Sequence, residues 1–259
     1  MNFAMKAMGV PMKSAEGLQQ TIDGHRVQVL GSGSYGVARL VEGMGVNGSG
    51  WVLKSMAHGD ATFLGEVSAL MKLRGHEGFQ QIVGVSLGQQ WTIVSHYAGV
   101  SLNAWIRENA ATPTQLCHVA QQLVANVTRL HHLGLAHNDI NGANVCVSVE
   151  GADVKVNLID FGLAKIASTD LVESDWLMVQ DVVHLIEMQG QDLAHMLQVT
   201  TLDDDMEAGL ELELDEDLQM GDAIGCAEGL VPGITITLGP NMEELEVKVD
   251  STINRILKW

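Results

Sequence analysis

The stretch HNDINGAN, residues 137–144, is followed sixteen residues after Asn144 by DFGLAK, residues 160–165. An Asp set before an Asn, then a second Asp beside a glycine, is a way of holding metal ions against phosphate, and it demands a fold that brings both stretches to one site. Around them, NVCVSV (144–149) and VKVNLI (154–159) read as strands flanking an EGAD turn. Just upstream, TQLCHVAQQLVANVTRLHHL (114–133) reads as an amphipathic helix, capped by Thr112 or Thr114 and stopped by Gly134.

The N-terminal half has a different rhythm. HRVQVLGSGSYGVARLV (25–41) reads as strand, glycine turn, strand, and WVLK (51–54) as a third strand after the turn-rich GMGVNGSG. DATFLGEVSALMKLR (60–74) places Phe63, Val67, Leu70, Met71 and Leu73 at helical spacing, with Asp60 as N-cap. QIVGVSL (81–87) and WTIVSHY (91–97) complete a small sheet carrying one helix. Beyond the acid pair, residues 174–198 read as a helix broken near Gly190. In the last 60 residues, leucines alternate with acids at Leu210, Leu212 and Leu214, ITITLG alternates too, and LEVKVDSTINRILKW suggests a strand and a short helix.

Charge separates the tail from the rest. Residues 1–165 hold 11 acidic and 11 basic side chains, whereas 166–259 hold 21 acidic and only Lys248, Arg255 and Lys258. Such a surface repels nucleic-acid phosphates and anionic lipid, so neither nucleic acid nor membrane is an expected partner. No segment reaches the ~20 apolar residues needed to span a bilayer, and the chain reads as soluble. Cys117, Cys146 and Cys226 are odd in number and form no CxxC, which favours a reducing compartment over a disulfide framework or a zinc site.

Gly31, Gly33 and Gly36 spell GxGxxG, but the motif continues as a strand rather than opening a helix, which disfavours a dinucleotide fold. A glycine hairpin followed 18 residues after Gly36 by Lys54, at the end of an apolar strand, suits backbone N–H groups covering phosphates that the lysine pairs. Glu66 is the candidate anion that orients Lys54, or else a solvated helix acid. Asp139 is placed to orient a substrate hydroxyl or accept its proton, and Asn144 and Asp160 to ligate Mg²⁺ through hard oxygens. His137 reads as a structural histidine.

Taken in order, GSGSYGVA, VLK, Glu66, HNDINGAN and DFGLAK resemble the protein-kinase superfamily over about residues 25–190. The resemblance implies an α+β, bilobal kinase-like fold with a small antiparallel β-sheet N-lobe, a reduced and mainly helical C-lobe and an acidic appendage. The corresponding divisions are a leader at 1–24, N-lobe 25–97, C-lobe 98–199 and appendage 200–259. It also implies ATP and Mg²⁺, a Ser/Thr hydroxyl on a protein as acceptor, and a hinge at Ser95–Gly99, with His96 and Ala98 facing the adenine.

Departures from the family pattern narrow the comparison. Asn138 stands where most protein kinases have Arg and Asn141 where serine/threonine kinases have Lys, so control by an activation-loop phosphate is not expected. No APE follows DFG, and only 21 residues separate Asp160 from Asp181, which aligns with the buried Asp of the next large helix; Asp175 is its rival. The stripped pattern is similar to the minimal effector kinases that bacteria inject into host cells through type III secretion. That resemblance implies action in host cytoplasm on a host protein, a host chaperone or ubiquitin-pathway protein among the partners, and either an activating partner that orders Lys54 and Glu66 or constitutive activity. Residues 1–24 are compatible with a secretion signal or a disordered leader. A small-molecule phosphotransferase of the choline or aminoglycoside kinase kind and a pseudokinase binding module are the alternatives.

Overall fold

The computed structural model describes residues 2–204 apart from five short loops (34–35, 46–47, 58–60, 109–110 and 151–152), together with 234–238 and 245–249. The chain opens with α1 (Asn2–Ala7), β1 (Met12–Lys13) and α2 (Ala15–Ile22). β2 (Val27–Gly33), β3 (Gly36–Val41), β4 (Trp51–Ala57), α3 (Ala61–Lys72), β5 (Ile82–Leu87) and β6 (Gln90–His96) follow. The six strands form one sheet in the order β1-β5-β6-β4-β3-β2, antiparallel throughout except that β1 runs parallel to β5.

Alternation along the strands gives this sheet two apolar faces. Leu53 and Val94 join Val41 and Leu18 of α2 in one cluster, while Met56 and Ile93 of the same two strands join Phe63, Val67 and Leu70 of α3 in the main core. The expectation of a disordered N-terminal leader is therefore corrected for residues 2–22. Ser14 caps α2 by accepting from Gly17 N at 3.0 Å, Pro11 O accepts from Val85 N at 2.9 Å, and Met5 and Val10 are buried in the main core. Apolar side chains at 5, 10 and 18 repay the ordering of a segment that looks polar on average. The proposed cap Asp60 lies outside the described residues.

The second lobe contains β7 (Val100–Ser101), α4 (Leu102–Glu108), α5 (Pro113–His132), β8 (Leu135–Ala136), β9 (Val145–Glu150), β10 (Asp153–Leu158), β11 (Lys165–Ile166) and α6 (Thr169–Asp204). α5 starts in a capping box, Thr112 with Gln115, and ends where Gly134 takes φ +71°. It buries Leu116, Leu123, Val127 and Leu130, and its Asn126 and Gln122 donate to the carbonyls of Val156 and Val154, tying the helix to the β9–β10 hairpin. That hairpin, with β7 as its third strand, returns the chain so that Asn144 and Ile159 are bonded through their backbones at 2.9 Å. The two acid-bearing stretches thus end side by side.

The expected break at Gly190 does not occur, because α6 runs unbroken from Thr169 to Asp204. One interior glycine costs a helix ~1 kcal/mol, and burial of Val179, Val182, Val183 and Ile186 outweighs that. A Cβ at position 190 would lie 3.8 Å from Leu116, so the glycine sits where α6 meets α5. In the last 60 residues, β12 (Ile234–Leu238) pairs antiparallel with β13 (Leu245–Val249). The expected leucine–acid alternation at 210–214 and the terminal short helix lie outside the described residues. Among the described residues no helix is long and apolar enough to cross a membrane. The α+β, two-lobed arrangement expected from the sequence is what the structure shows.

Candidate active site

Phe63, Val67 and Leu70 define the inward face of α3, and Glu66, three residues on from Phe63 and four before Leu70, lies on that same face. Glu66 is fully buried, so its reading as a solvated helix acid fails. A buried carboxylate needs a partner, and Lys54 Nζ donates to both of its oxygens, at 3.0 and 2.9 Å. The same ammonium reaches Asp160 Oδ1 at 2.5 Å. Burial pulls the Lys54 pKa down, but Glu66 and Asp160 outweigh it and leave the group raised and charged.

Asp160 adopts a left-handed backbone, φ 61° and ψ 75°, and caps a single 3-10 turn at Phe161–Leu163 by accepting from Gly162 N at 3.3 Å. Phe161 is driven fully inside, edge-on to Phe79 and tilted on His137 with ring centroids 4.8 Å apart. With the ring inward, the carboxylate faces Lys54. A Cβ at Gly162 would sit 3.2 Å from Asp160 Oδ1 and 3.5 Å from Glu66 Oε2, so a side chain there would crowd this cluster.

The stretch 137–144 is held at its start by one carboxylate. Asp175 Oδ2 accepts from His137 N at 2.8 Å and contacts His131 Nε2 at 2.9 Å, while Oδ1 accepts from Asn138 N at 2.8 Å. Asp175 is fully buried; Asp181 is exposed on the outer face of α6 and is corrected as the candidate for this role. The six-residue offset sets the two aspartates about 120° apart around the helix. His137 donates from Nε2 to Ile159 O at 3.0 Å, which makes it a structural histidine under the loop.

Both groups confer a pH dependence of the same sign. Burial lowers His137 below its ordinary 6.5, so the folded chain binds fewer protons than the unfolded one and stability falls as pH drops below about 6.5. Burial raises Asp175, but hydrogen bonds from His131, His137 N and Asn138 N outweigh it and leave the carboxyl below 3.8; its contribution is present above that value and lost as pH falls through the folded pKa. Thermal unfolding from pH 8 to pH 3 should show a first decline in midpoint beginning near pH 6.5 and a steeper one below pH 4. A flat midpoint between pH 7 and 5 would remove His137 from this account.

Above that base, Asp139 is half-buried and its carboxylate is gripped by two amides. Asn141 Nδ2 donates to Oδ1 at 3.1 Å and Asn144 Nδ2 to Oδ2 at 2.8 Å. Asn141 Oδ1 also accepts from Ala143 N at 2.9 Å, so it braces the turn as well as the acid. Asn138, at φ 62°, donates from Nδ2 to Leu163 O at 3.1 Å and thereby joins this loop to the turn after Asp160. These amide roles escape a sequence reading, which registers only that Arg and Lys are missing. Only five residues, 164–168, separate the turn from α6, and β11 among them pairs directly with β8.

The glycine hairpin stands across from this cluster. β2 is exposed along its whole length, Gly33 pairs with Gly36, and Ala38 pairs with Lys54. Gly36 has φ +121°, and a Cβ there would collide with the Ser55 carbonyl. Ser34 and Tyr35 lie outside the described residues. His96 ends β6 and Ala98 follows it, its carbonyl accepting from Asn157 Nδ2 at 3.5 Å; both are half-buried at the crossing between lobes. Lys54, Glu66 and Asp160 meet directly, Asn144 joins Asp139 to the residue before Asp160, and Gly31, Gly33 and Gly36 lie on the β2–β3 hairpin beside the strand that carries Lys54. Cys117 and Cys146 are both buried, and burial pushes the Cys146 thiol up to about 12.

The protein kinase domain family model matches residues 25–181. The Probable CTD kinase subunit alpha homolog of Encephalitozoon cuniculi is 27% identical over 145 residues, covering 54% of this chain and 42% of that protein. Serine/threonine-protein kinase MST20 of Pyricularia oryzae is 28% identical over 102 residues, 37% of this chain and 11% of its own. Serine/threonine-protein kinase shk1/pak1 of Schizosaccharomyces pombe is 26% identical over 122 residues, 44% and 18% respectively. The chain spans less than half the length of these relatives.

Proposed function

The chain belongs to the protein kinase domain family, and from that premise we propose that it transfers the γ-phosphate of ATP to Ser or Thr hydroxyls of a protein, with Mg²⁺ as the metal. The carrying observation is the Lys54–Glu66–Asp160 cluster, assembled and charged beside an Asp139 already held by two amides. Hard oxygen donors suit Mg²⁺: Asp160 offers a carboxylate, and Asn144, whose Nδ2 is spent on Asp139, offers its amide oxygen. Bound there, the metal would neutralise charge on the phosphate oxygens.

Each residue then has a task. Lys54, oriented by Glu66, pairs with the phosphates under the glycine hairpin, and His96 and Ala98 face the adenine from the crossing strand. Asp139 orients the acceptor hydroxyl in line with the γ-phosphorus. The hydroxyl oxygen bonds to phosphorus as the bond to the bridging oxygen breaks, the electron pair leaves with ADP, and the proton passes to Asp139. Positioning and charge neutralisation supply most of the rate.

The five-residue link to α6 leaves no room for an activation loop and supports the reading as a secreted effector kinase acting on a host protein. A host chaperone or ubiquitin-pathway protein is the partner class that this reading carries. The test is transfer of labelled γ-phosphate to a eukaryotic lysate and to a panel of amines and sugars, comparing the native chain with Lys54→Ala. Label should enter a protein on Ser or Thr and fall by about 10²-fold in the variant. Label confined to a small molecule would replace this reading with a small-molecule phosphotransferase, and nucleotide binding without transfer would replace it with a binding module.

A further inference from the structure

Residues 78–80 run beside 158–160 as a short parallel bridge centred on Phe79 and Leu158. Leu158 N donates to Gly78 O at 2.9 Å, and Gln80 N donates to Leu158 O at 2.8 Å. The next rung is made by a side chain, because Asp160 N donates to Gln80 Oε1 at 3.0 Å. The other end of the same amide, Gln80 Nε2, donates to Ser95 Oγ at 2.9 Å. A backbone N–H can only donate, so the orientation of the glutamine amide follows from its partners.

Gln80 is 7% exposed and Ser95 1% exposed. Burying an amide and a hydroxyl there is unfavourable unless both ends are satisfied, and here they are. Asp160, for its part, is held in a left-handed conformation that a non-glycine residue keeps only where its surroundings impose it. Its carboxylate is fixed by Lys54 and its backbone by Gln80, which together determine where the chain leaves β10 and which way the acid points.

We propose that Gln80 is a positioning residue for Asp160: its side-chain amide ties the turn that carries this acid to Ser95, one residue before the end of the strand that leads to the hinge. What Asp160 does there rests on the kinase reading; the tie itself does not. The tie joins the turn on the metal side of the site to the strand that leads to the adenine side through one buried group.

The test uses the full chain, Gln80→Leu and Ser95→Ala. Hydrogen exchange at the Asp160 amide should speed by about tenfold in Gln80→Leu, the loss expected when a buried N–H loses its acceptor, while β9 amides at 145–150 keep their protection. Manganese titrated into ADP-loaded protein and followed by electron paramagnetic resonance should half-saturate at about tenfold higher concentration, with metal-free ADP affinity within about twofold. Ser95→Ala should move both readouts the same way by a smaller factor, and it carries the test if Gln80→Leu does not fold. Unchanged exchange at Asp160, or exchange rising equally in β9, would overturn the proposal. If the native chain binds no manganese with ADP, the kinase reading fails, and hydrogen exchange still decides whether the tie exists.

Discussion

Replacing Asp139 with Ala should lower phosphate transfer by about 10³-fold while leaving nucleotide affinity within about twofold, the size of effect expected when a positioned acid–base group is lost. The two halves of this result have separate causes. The Asp139 carboxylate is bonded to Asn141 and Asn144 on its own loop, so its removal leaves the Lys54 cluster's own hydrogen bonds in place. Removing it frees two half-buried amides that water can satisfy, so folding should be little affected. Single-turnover transfer of labelled phosphate, paired with a nucleotide titration, separates the outcomes. Turnover that survives would remove Asp139 from the chemistry, and nucleotide affinity falling in step with turnover would make it a structural residue.

The largest stability effect should come from Asp175→Ala, at about 3–5 kcal/mol. The buried backbone N–H of His137 and the half-buried one of Asn138 lose their acceptor together with His131, and each orphaned donor costs ~1–3 kcal/mol. For a domain of this size the thermal midpoint should fall by roughly 6–20 °C. Asp181→Ala, on the exposed side of the same helix, should stay within about 0.5 kcal/mol of the native chain. The pair of variants distinguishes the two aspartates in one melting experiment. Equal midpoints for both would mean that the loop at 137–144 is held by something other than Asp175.

The difference between these two residues shows where a reading of the sequence stops. Both sit in an apolar-patterned helix, and both lie at a workable spacing from Asp160. The choice depends on which side of α6 meets the backbone of residues 137 and 138, and that is set by how α6 packs on α5 and β8. Glu66 is the converse case. Its burial was legible from its place between Phe63 and Leu70 on the apolar face of α3, and a strict account of helical phase would have rejected the solvated reading.

Gln80, Asn138 and Asn141 had no such signal. Each is a polar residue at the edge of a strand or in a turn, where polar residues are commonplace, and each acquires its role by bonding a group brought near by the fold. The same holds for Met5, Val10 and Leu18, whose burial depends on a sheet edge and face formed by residues far along the chain.

By itself the sequence determined the strand and helix periods, the order of the glycine hairpin, lysine and paired acids, and through that order the family, because backbone periodicity and motif spacing are local properties of the chain. The tertiary structure alone decided which aspartate anchors the loop, that Lys54 meets Glu66 and Asp160 together, that residues 2–22 cover the sheet and that α6 passes Gly190 unbroken. Those outcomes come from desolvation and hydrogen bonding between segments up to 106 residues apart, and the free energy of such contacts exists only once both partners are in place.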